Sequence, residues 1–161
     1  MHAPFWESRS TNAQLFPSRF REYLELAKEK STVARNLILV VDDDESIRRT
    51  TTLLIESFGF RAAAFESADA FLKSGQLRDT ACLIVDVQLP GMNGLQLQSQ
   101  LAAQGCGIPI IFITAYDNKE SRRRAMQAGA VAFLGKPFSD EQLLETIGSA
   151  LWDHNNRTKT T

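Results

Sequence analysis

The chain contains 161 residues, 43% of them hydrophobic and 23% charged, with a formal net charge of -1 at pH 7. This length supports one ordinary globular core rather than two, and the near-neutral charge provides no bulk attraction to nucleic acid or to an acidic membrane surface. No segment approaches the roughly 18 apolar residues that a membrane span needs, and residues 1–30 are too charged for the apolar core of a signal peptide. Cys82 and Cys106 lie outside any metal-binding spacing, which favours buried thiols in a reducing compartment. We therefore expect a cytoplasmic protein without a membrane segment.

The N-terminal extension, residues 1–36, lacks the alternation of strands and helices predicted for the rest of the chain. Its apolar spacing predicts an amphipathic helix over residues 17–30, whereas residues 1–15 show no periodicity and are predicted to be disordered. The residues at helical spacing are Phe16, Phe20, Tyr23, Leu24 and Ala27. Such a helix either packs on its own domain or binds a partner, and the sequence leaves both open.

From Leu37 onward, predicted strands and helices alternate regularly. Apolar runs without polar alternation are typical of strands buried on both faces of a parallel sheet. The predicted strands are residues 37–41, 61–65, 81–85, 109–113 and 131–134. Periodicity, N-cap residues and terminal glycines predict helices over residues 45–58, from Ser67 to Gly75, over residues 95–103 and 119–128, and from Ser139 to about Trp152.

This alternation predicts a doubly wound α/β fold with right-handed crossovers. Among the doubly wound arrangements we expect the flavodoxin-like one, a five-stranded parallel sheet with strand order 2-1-3-4-5. The corresponding domain covers residues 37–152, and residues 153–161 form a predicted polar C-terminal tail.

Polar side chains suited to phosphate or metal chemistry follow four of the apolar runs. Asp42 and Asp43 follow the first strand, Asp86 the third, Thr114 the fourth and Lys136 the fifth. Taken singly, such residues are often turn formers, caps or solvated side chains. Because ligands of doubly wound sheets bind beyond the carboxyl ends of the strands, their joint occurrence predicts one shared site. Asp44, directly before a predicted helix, is better explained as an N-cap.

The residue types at this edge indicate phosphoryl chemistry assisted by a metal. Three neighbouring carboxylates repel one another, and a divalent cation relieves that repulsion. Oxygen-only ligands favour Mg2+ over a softer metal. With two acids holding the metal, the third carboxylate can act as a nucleophile toward phosphorus and form an aspartyl phosphate. The Lys136 ammonium can then neutralise phosphoryl oxygens, and the Thr114 hydroxyl can donate a hydrogen bond to one of them.

The region from Leu37 to Leu151 resembles the receiver domain of two-component response regulators. The matching segments are VVDDDES, LIVDVQLPGMNG, IFITAY and AGAVAFLGKPF. The resemblance implies that Asp86 is the phosphoacceptor, and that Asp42 and Asp43 bind Mg2+ together with Asp86 and the main-chain carbonyl of Gln88.

The same resemblance implies a conformational switch. Thr114 and Lys136 then contact the phosphate, and Phe133 matches the family's switch aromatic, although simple core filling is an alternative for Phe133. The Lys136–Pro137 peptide bond matches one that the family holds cis. Gln88 and Tyr116 match positions that modulate dephosphorylation.

The implied partners are a sensor histidine kinase or a histidine phosphotransfer protein, and an output protein of unknown identity. The output would bind the surface formed by the fourth helix, the fifth strand and the fifth helix. The run Arg122-Arg123-Arg124 falls on the fourth helix and is either a solvated charge run or an output contact. Whether phosphorylation drives dimerisation is left open.

We therefore expect a single-domain response regulator that is a signalling module and not an enzyme acting on an external substrate. The core also resembles receivers that precede helix-turn-helix domains, so the receiver part of a truncated DNA-binding regulator is an alternative. No recognition helix is evident after Trp152, and we expect no nucleic-acid contact from this chain. A haloacid-dehalogenase-type phosphatase requires a second Asp two residues after its nucleophile, where Gln88 stands after Asp86.

Overall fold

The computed structural model describes residues 37–157 and the two isolated positions 18 and 21, with side chains described through His154. The predicted helix over residues 17–30 and the predicted disorder of residues 1–15 thus lie essentially outside the described residues and remain predictions. No helix in the described part of the chain combines the length and the apolarity needed to cross a bilayer.

The described region forms a five-stranded parallel sheet whose strand order is β2-β1-β3-β4-β5. This confirms the predicted flavodoxin-like α/β fold. The elements are β1 (Leu37–Val41), α1 (Glu45–Ser57), β2 (Arg61–Phe65), α2 (Ala68–Lys73), a 3-10 helix (Gln76–Asp79), β3 (Thr80–Asp86), α3 (Gly94–Ala103), β4 (Ile110–Thr114), α4 (Lys119–Gln127), β5 (Ala132–Gly135) and α5 (Asp140–Arg157).

Two features differ from the sequence-based expectation by more than a residue at the end of an element. The 3-10 helix was not predicted; it follows Gly75, whose φ of 73° ends α2, and the Thr80 hydroxyl closes it by donating to the Gln76 carbonyl at 2.7 Å. The last helix continues to Arg157 instead of ending near Trp152, so the first part of the predicted polar tail is helical. No glycine or proline follows Trp152 to interrupt the backbone hydrogen bonds, and polar side chains alone do not end a helix.

The central strands have their unbroken apolar runs because helices cover both faces of the sheet. Every residue of β1, β3 and β4 is buried. Alternate residues of β1 enter two separate cores: Leu39 packs in a cluster with residues of α2, α3 and α4, whereas Ile38 packs in one with residues of α1 and α5. Burial of each such side chain contributes about 1.5–3 kcal/mol. The two cores hold the strand ends in a fixed register.

Side-chain caps start the helices where the sequence predicts. The Asp44 carboxylate accepts hydrogen bonds from the Ser46 and Ile47 N–H groups at 2.8 and 3.2 Å, which confirms it as the N-cap of α1. Ser67 caps α2, and Ser139 accepts from the N–H of Gln142 at 3.1 Å at the start of α5. The Asp44 cap turns the chain away immediately after β1 and leaves the preceding acidic residues at the edge of the sheet.

Replacement of Asp44 tests its role as the N-cap of α1. We expect Asp44→Ala to lower the free energy of unfolding by about 1 kcal/mol, because two N–H groups of α1 lose their acceptor. Asp44→Asn, the matched control, retains an acceptor and should stay close to the parent. Urea denaturation measures both; an equal loss in the two variants would contradict the capping role.

The two cysteines should differ in reactivity. Burial raises the pKa of the Cys82 thiol to about 12, so almost no thiolate exists there at pH 8. Cys106 is only partly buried. A thiol reagent should therefore label native protein at Cys106 and label Cys82 only after urea unfolding, as mapped by peptide mass spectrometry. If Cys82 in the native protein were labelled as fast as Cys106, the burial of Cys82 would be contradicted.

Candidate functional site

The strand order brings three carboxylates together. Asp42 and Asp43 directly follow β1, and Asp86 ends β3, the strand that pairs with β1 through Val41 and Val85. Asp42 is fully buried and Asp86 is 5% exposed, whereas Asp43 is exposed to solvent. Carboxylate oxygens of the three residues lie within 4.8 Å of one another. This acidic cluster is the one anticipated from the strand ends.

The Lys136 ammonium bridges the two buried carboxylates. Its Nζ donates to Asp42 Oδ2 at 2.7 Å and to Asp86 Oδ2 at 2.8 Å. Lys136 directly follows β5, and its N–H extends the β4–β5 ladder by donating to the Thr114 carbonyl at 2.7 Å. The Lys136–Pro137 bond is cis, as the family resemblance implied. The positive charge of a residue that follows the edge strand β5 is thereby fixed between the ends of β1 and β3.

Backbone donors occupy the second oxygen of each buried carboxylate. Asp42 Oδ1 accepts from the Asp44 N–H at 2.9 Å, and Asp86 Oδ1 accepts from the Gln88 N–H at 2.9 Å. In addition, the Arg48 guanidinium on α1 donates to the main-chain carbonyl of Asp42 at 2.8 Å. Both carboxylates are thus held in one orientation from two sides, as a buried ionised group requires.

Burial and pairing shift the titration of the site in definable directions. Burial raises the pKa of Asp42, against the opposing hydrogen bonds from Lys136 and Asp44. Burial alone would lower the pKa of Lys136, but its hydrogen bonds to Asp42 and Asp86 outweigh burial and the pKa is raised. The pKa of Lys136 is therefore higher in the folded chain than in the unfolded chain. Its contribution to the free energy of unfolding is present at neutral pH and is lost as the pH rises through the raised pKa.

The donor set fits a small, hard divalent cation. All ligand atoms offered by the acidic cluster are carboxylate oxygens, which are the ligands that Mg2+ and Ca2+ prefer. Asp43 faces solvent, so an ion held there keeps access to water ligands, as Mg2+ requires. Gln88 is exposed beside the cluster, and the metal-binding role expected of its carbonyl remains a prediction.

The two expected switch residues lie on the neighbouring strands β4 and β5. Thr114 ends β4 and is buried, and its hydroxyl is engaged by the backbone of the following loop, where it accepts from the Tyr116 N–H at 3.1 Å. Phe133 on β5 is 5% exposed and packs on Phe112, with ring centroids 6.1 Å apart. This packing agrees with a core-filling role, and the switch role of Phe133 remains a prediction.

Gly94 is a site residue that the sequence analysis did not single out. It begins α3, and its N–H donates to the Val87 carbonyl at 2.9 Å. A Cβ at this position would collide with the carbonyl oxygen of Asp86. The capping box between Asn93 and Gln96, visible in the sequence as Asn-Gly-Leu-Gln, marks this helix start. Gly94 thus allows α3 to begin in direct contact with the end of β3.

The fold and the site together define a class of protein: a flavodoxin-like α/β domain with a lysine-bridged carboxylate cluster at the carboxyl edge of its sheet. The family profile described as "Response regulator receiver domain" matches residues 38–148. The chain therefore belongs to the response regulator receiver domain family.

Relatives of known sequence include Nodulation protein W of Bradyrhizobium diazoefficiens, 46% identical over 122 residues that cover 76% of this chain and 53% of that protein. The response regulator protein TmoT of Ectopseudomonas mendocina is 41% identical over 128 residues, which cover 79% of this chain and 58% of TmoT. The chain thus spans about half the length of the curated relatives it matches.

Solved structures show the same architecture. The response regulator StyR superposes with a TM-score of 0.73 at 41% sequence identity, covering 79% of this chain and 64% of that one. FixJ-N superposes with a TM-score of 0.66 at 33% identity, covering 73% of this chain and 94% of that one.

The contact at Gly94 is open to a direct test. We expect Gly94→Ala to cost about 1–3 kcal/mol in the free energy of unfolding, because the new methyl group forces α3 away from the Asp86 carbonyl. Gly107→Ala is the matched control, since a Cβ there meets open space. Thermal or urea denaturation compares the two. Equal stabilities would contradict the close approach.

Proposed function

We propose that this chain is a phosphoacceptor module of two-component signalling, and that Asp86 is its phosphorylated residue. One observation carries the assignment: the Asp86 carboxylate lies in a cluster with two further carboxylates and is bound by the Lys136 ammonium at 2.8 Å. Membership of the receiver family supports the same chemistry.

The transfer step is a displacement at phosphorus. A carboxylate oxygen of Asp86 forms a bond to phosphorus while the bond between phosphorus and the donor breaks, and the electron pair of that bond leaves with the donor. The Gln88 N–H and the Lys136 ammonium fix the orientation of the carboxylate before the donor arrives. Lys136 then neutralises charge on the phosphoryl oxygens, since its ammonium already lies beside the nucleophile.

We assign a Mg2+ site to Asp42, Asp43, Asp86 and the main-chain carbonyl of Gln88. When all are ionised, three carboxylates against one ammonium leave two uncompensated negative charges, which one divalent cation balances. The bound ion would supply charge neutralisation for the phosphoryl oxygens. Asp42 is held ready for this role by Lys136 and by the Asp44 N–H.

Phosphorylation acts as a switch through Thr114 and Phe133 in this proposal. New phosphoryl oxygens compete with the Tyr116 carbonyl, to which the Thr114 hydroxyl donates at 3.3 Å, and movement of Thr114 leaves space into which the Phe133 ring rotates. The surface formed by α4, β5 and α5 then shifts its population between two packings.

In this proposal the chain is cytoplasmic, and its phosphoryl donor is a sensor histidine kinase or a histidine phosphotransfer protein. The output is a protein that binds the α4, β5 and α5 surface, or a second copy of the chain. The receiver part of a longer DNA-binding regulator is the second candidate, and the half-length match to Nodulation protein W and TmoT supports the greater length. Both candidates share the phosphoacceptor chemistry.

Replacement of the nucleophile tests the assignment. With acetyl phosphate and Mg2+, the parent chain should take up about one phosphoryl group, and Asp86→Asn should take up none, because an amide is a poor nucleophile toward phosphorus. Asp44→Asn, a control with the same chemical change in the N-cap, should label like the parent. Intact-mass spectrometry provides the measurement, and strong labelling of Asp86→Asn would contradict the proposal.

The number of phosphoryl groups transferred per chain distinguishes a signalling module from a phosphohydrolase. A receiver stops after about one transfer per chain, whereas a phosphohydrolase releases many equivalents of phosphate from an external phosphoester. We expect no sustained turnover of p-nitrophenyl phosphate by the parent chain above the level of Asp86→Asn. Multiple turnovers lost in Asp86→Asn would favour the enzyme.

A further inference from the structure

Arg122 makes a set of contacts that the sequence analysis did not anticipate. Its Nε and Nη2 donate to the two oxygens of Asp117 at 3.2 and 2.6 Å. Its Nη1 donates to the Phe133 carbonyl at 3.2 Å, and the guanidinium carbon lies 5.0 Å from the centroid of the Phe133 ring. We call Arg122, Asp117 and Phe133 with these contacts the Arg122 clamp. One guanidinium thus joins the β4–α4 loop, α4 and β5.

The clamp holds the parts that the proposed switch has to move. Asp117 lies in the loop after β4, directly beyond Tyr116, whose backbone engages the Thr114 hydroxyl. Phe133 is the proposed switch aromatic, and its main chain and ring are both in contact with Arg122. A shift of the loop toward a phosphorylated Asp86, or a rotation of the ring, changes the geometry on which these contacts depend.

Few other contacts fasten α4 to the domain. Ala125 is the buried residue of this helix, and its carbonyl accepts a hydrogen bond from the Gln98 side chain at 3.0 Å. The other two arginines of the run are exposed; Arg123 pairs with Glu120 on the same helix at 2.6 Å. Because α4 buries so little apolar surface, polar contacts to other elements carry a large share of its attachment.

We propose that the Arg122 clamp favours the packing in which the Tyr116 backbone engages Thr114, and so sets how readily Asp86 phosphorylation switches the domain. Arg122 is a positioning residue here, since it acts through Asp117 and Phe133. The inference rests on the proposed function of Asp86, Thr114 and Phe133 and adds a regulator of that switch within α4.

The clamp acts through a population shift. Suppose that a phosphoryl mimic binds only the switched packing. Its apparent affinity is then proportional to the fraction of molecules that have this packing before the mimic binds. A half-exposed bidentate ion pair and a cation–π contact each have modest strength. Their loss should raise the population of the switched packing, and with it the affinity for beryllofluoride, by roughly 3- to 30-fold.

The test uses the full chain with Mg2+ and beryllofluoride, and three variants. Arg122→Gln removes all contacts of the clamp, Asp117→Asn removes only its ion pair, and Arg123→Gln removes the same charge as Arg122→Gln one residue further along α4. We expect Arg122→Gln to bind beryllofluoride about 3- to 30-fold more tightly than the parent and Asp117→Asn to bind it more tightly by a smaller factor, because the Phe133 contacts of Arg122 persist. The double variant should be little tighter than Arg122→Gln, and Arg123→Gln should stay within about twofold of the parent.

The opposite charge changes in the two clamp variants make this pattern diagnostic. Arg122→Gln removes a positive charge and Asp117→Asn removes a negative one, so long-range attraction of the anion predicts opposite effects, whereas loss of the clamp predicts the same effect. Amide NMR provides a second readout. In both clamp variants without beryllofluoride, the Thr114 and Phe133 resonances should move toward their positions in the bound parent, and in Arg123→Gln they should not.

The outcomes distinguish the clamp from the function on which it rests. If the parent and the variants fail to bind beryllofluoride at all, the proposed phosphoacceptor function is wrong. If the parent binds it and Asp86→Asn does not, but Arg122→Gln binds as weakly as the parent or more weakly, the clamp is wrong and the phosphoacceptor function stands. Thermal denaturation of each variant verifies that the folded state is the one titrated.

Discussion

The rest of the site depends on the placement of the Lys136 ammonium between the carboxylates of Asp42 and Asp86. In the order β2-β1-β3-β4-β5, Lys136 reaches from one edge of the sheet, past β4, to the two strands that bear the acids. Two neighbouring carboxylates buried without that ammonium would be driven toward protonation, and a protonated carboxyl is a poor nucleophile and a poor metal ligand. The two cores that cover the sheet keep the strand ends in register, so packing far from the site determines distances within it.

In the proposed function, chemistry and signalling are divided between the two sides of this edge of the sheet. The acidic side, at the ends of β1 and β3, holds the carboxylates with backbone donors from residues directly after the strands. On the other side, at the ends of β4 and β5, Thr114 and Phe133 are held by a loop and by a charged helix that buries little apolar surface. A rigid acidic side suits a reaction that needs fixed geometry. A loosely attached α4 suits an element that changes its packing at low cost.

The sequence predicted those parts of the structure whose physical cause is visible in a short stretch of residues. Two-sided burial requires an unbroken apolar run, so β1, β3 and β4 could be read directly, and Asp44 could be recognised as a cap from its place before a helix. The convergence of Asp86 and Lys136 followed once a strand order was assumed. Contacts between distant elements had no such local pattern. The approach of Gly94 to the Asp86 carbonyl and that of Arg122 to Phe133 depend on how α3 and α4 lie on the sheet, and the end of α5 depends on the absence of a breaking residue.

The central claim is that this edge makes a covalent aspartyl phosphate at one defined residue. Borohydride reduces an aspartyl phosphate to homoserine, which marks the modified position permanently. The chain, phosphorylated with acetyl phosphate and Mg2+, reduced and sequenced by peptide mass spectrometry, should contain homoserine at position 86. Homoserine at the position of Asp42 or Asp43 instead, or none after efficient phosphorylation, would contradict the account.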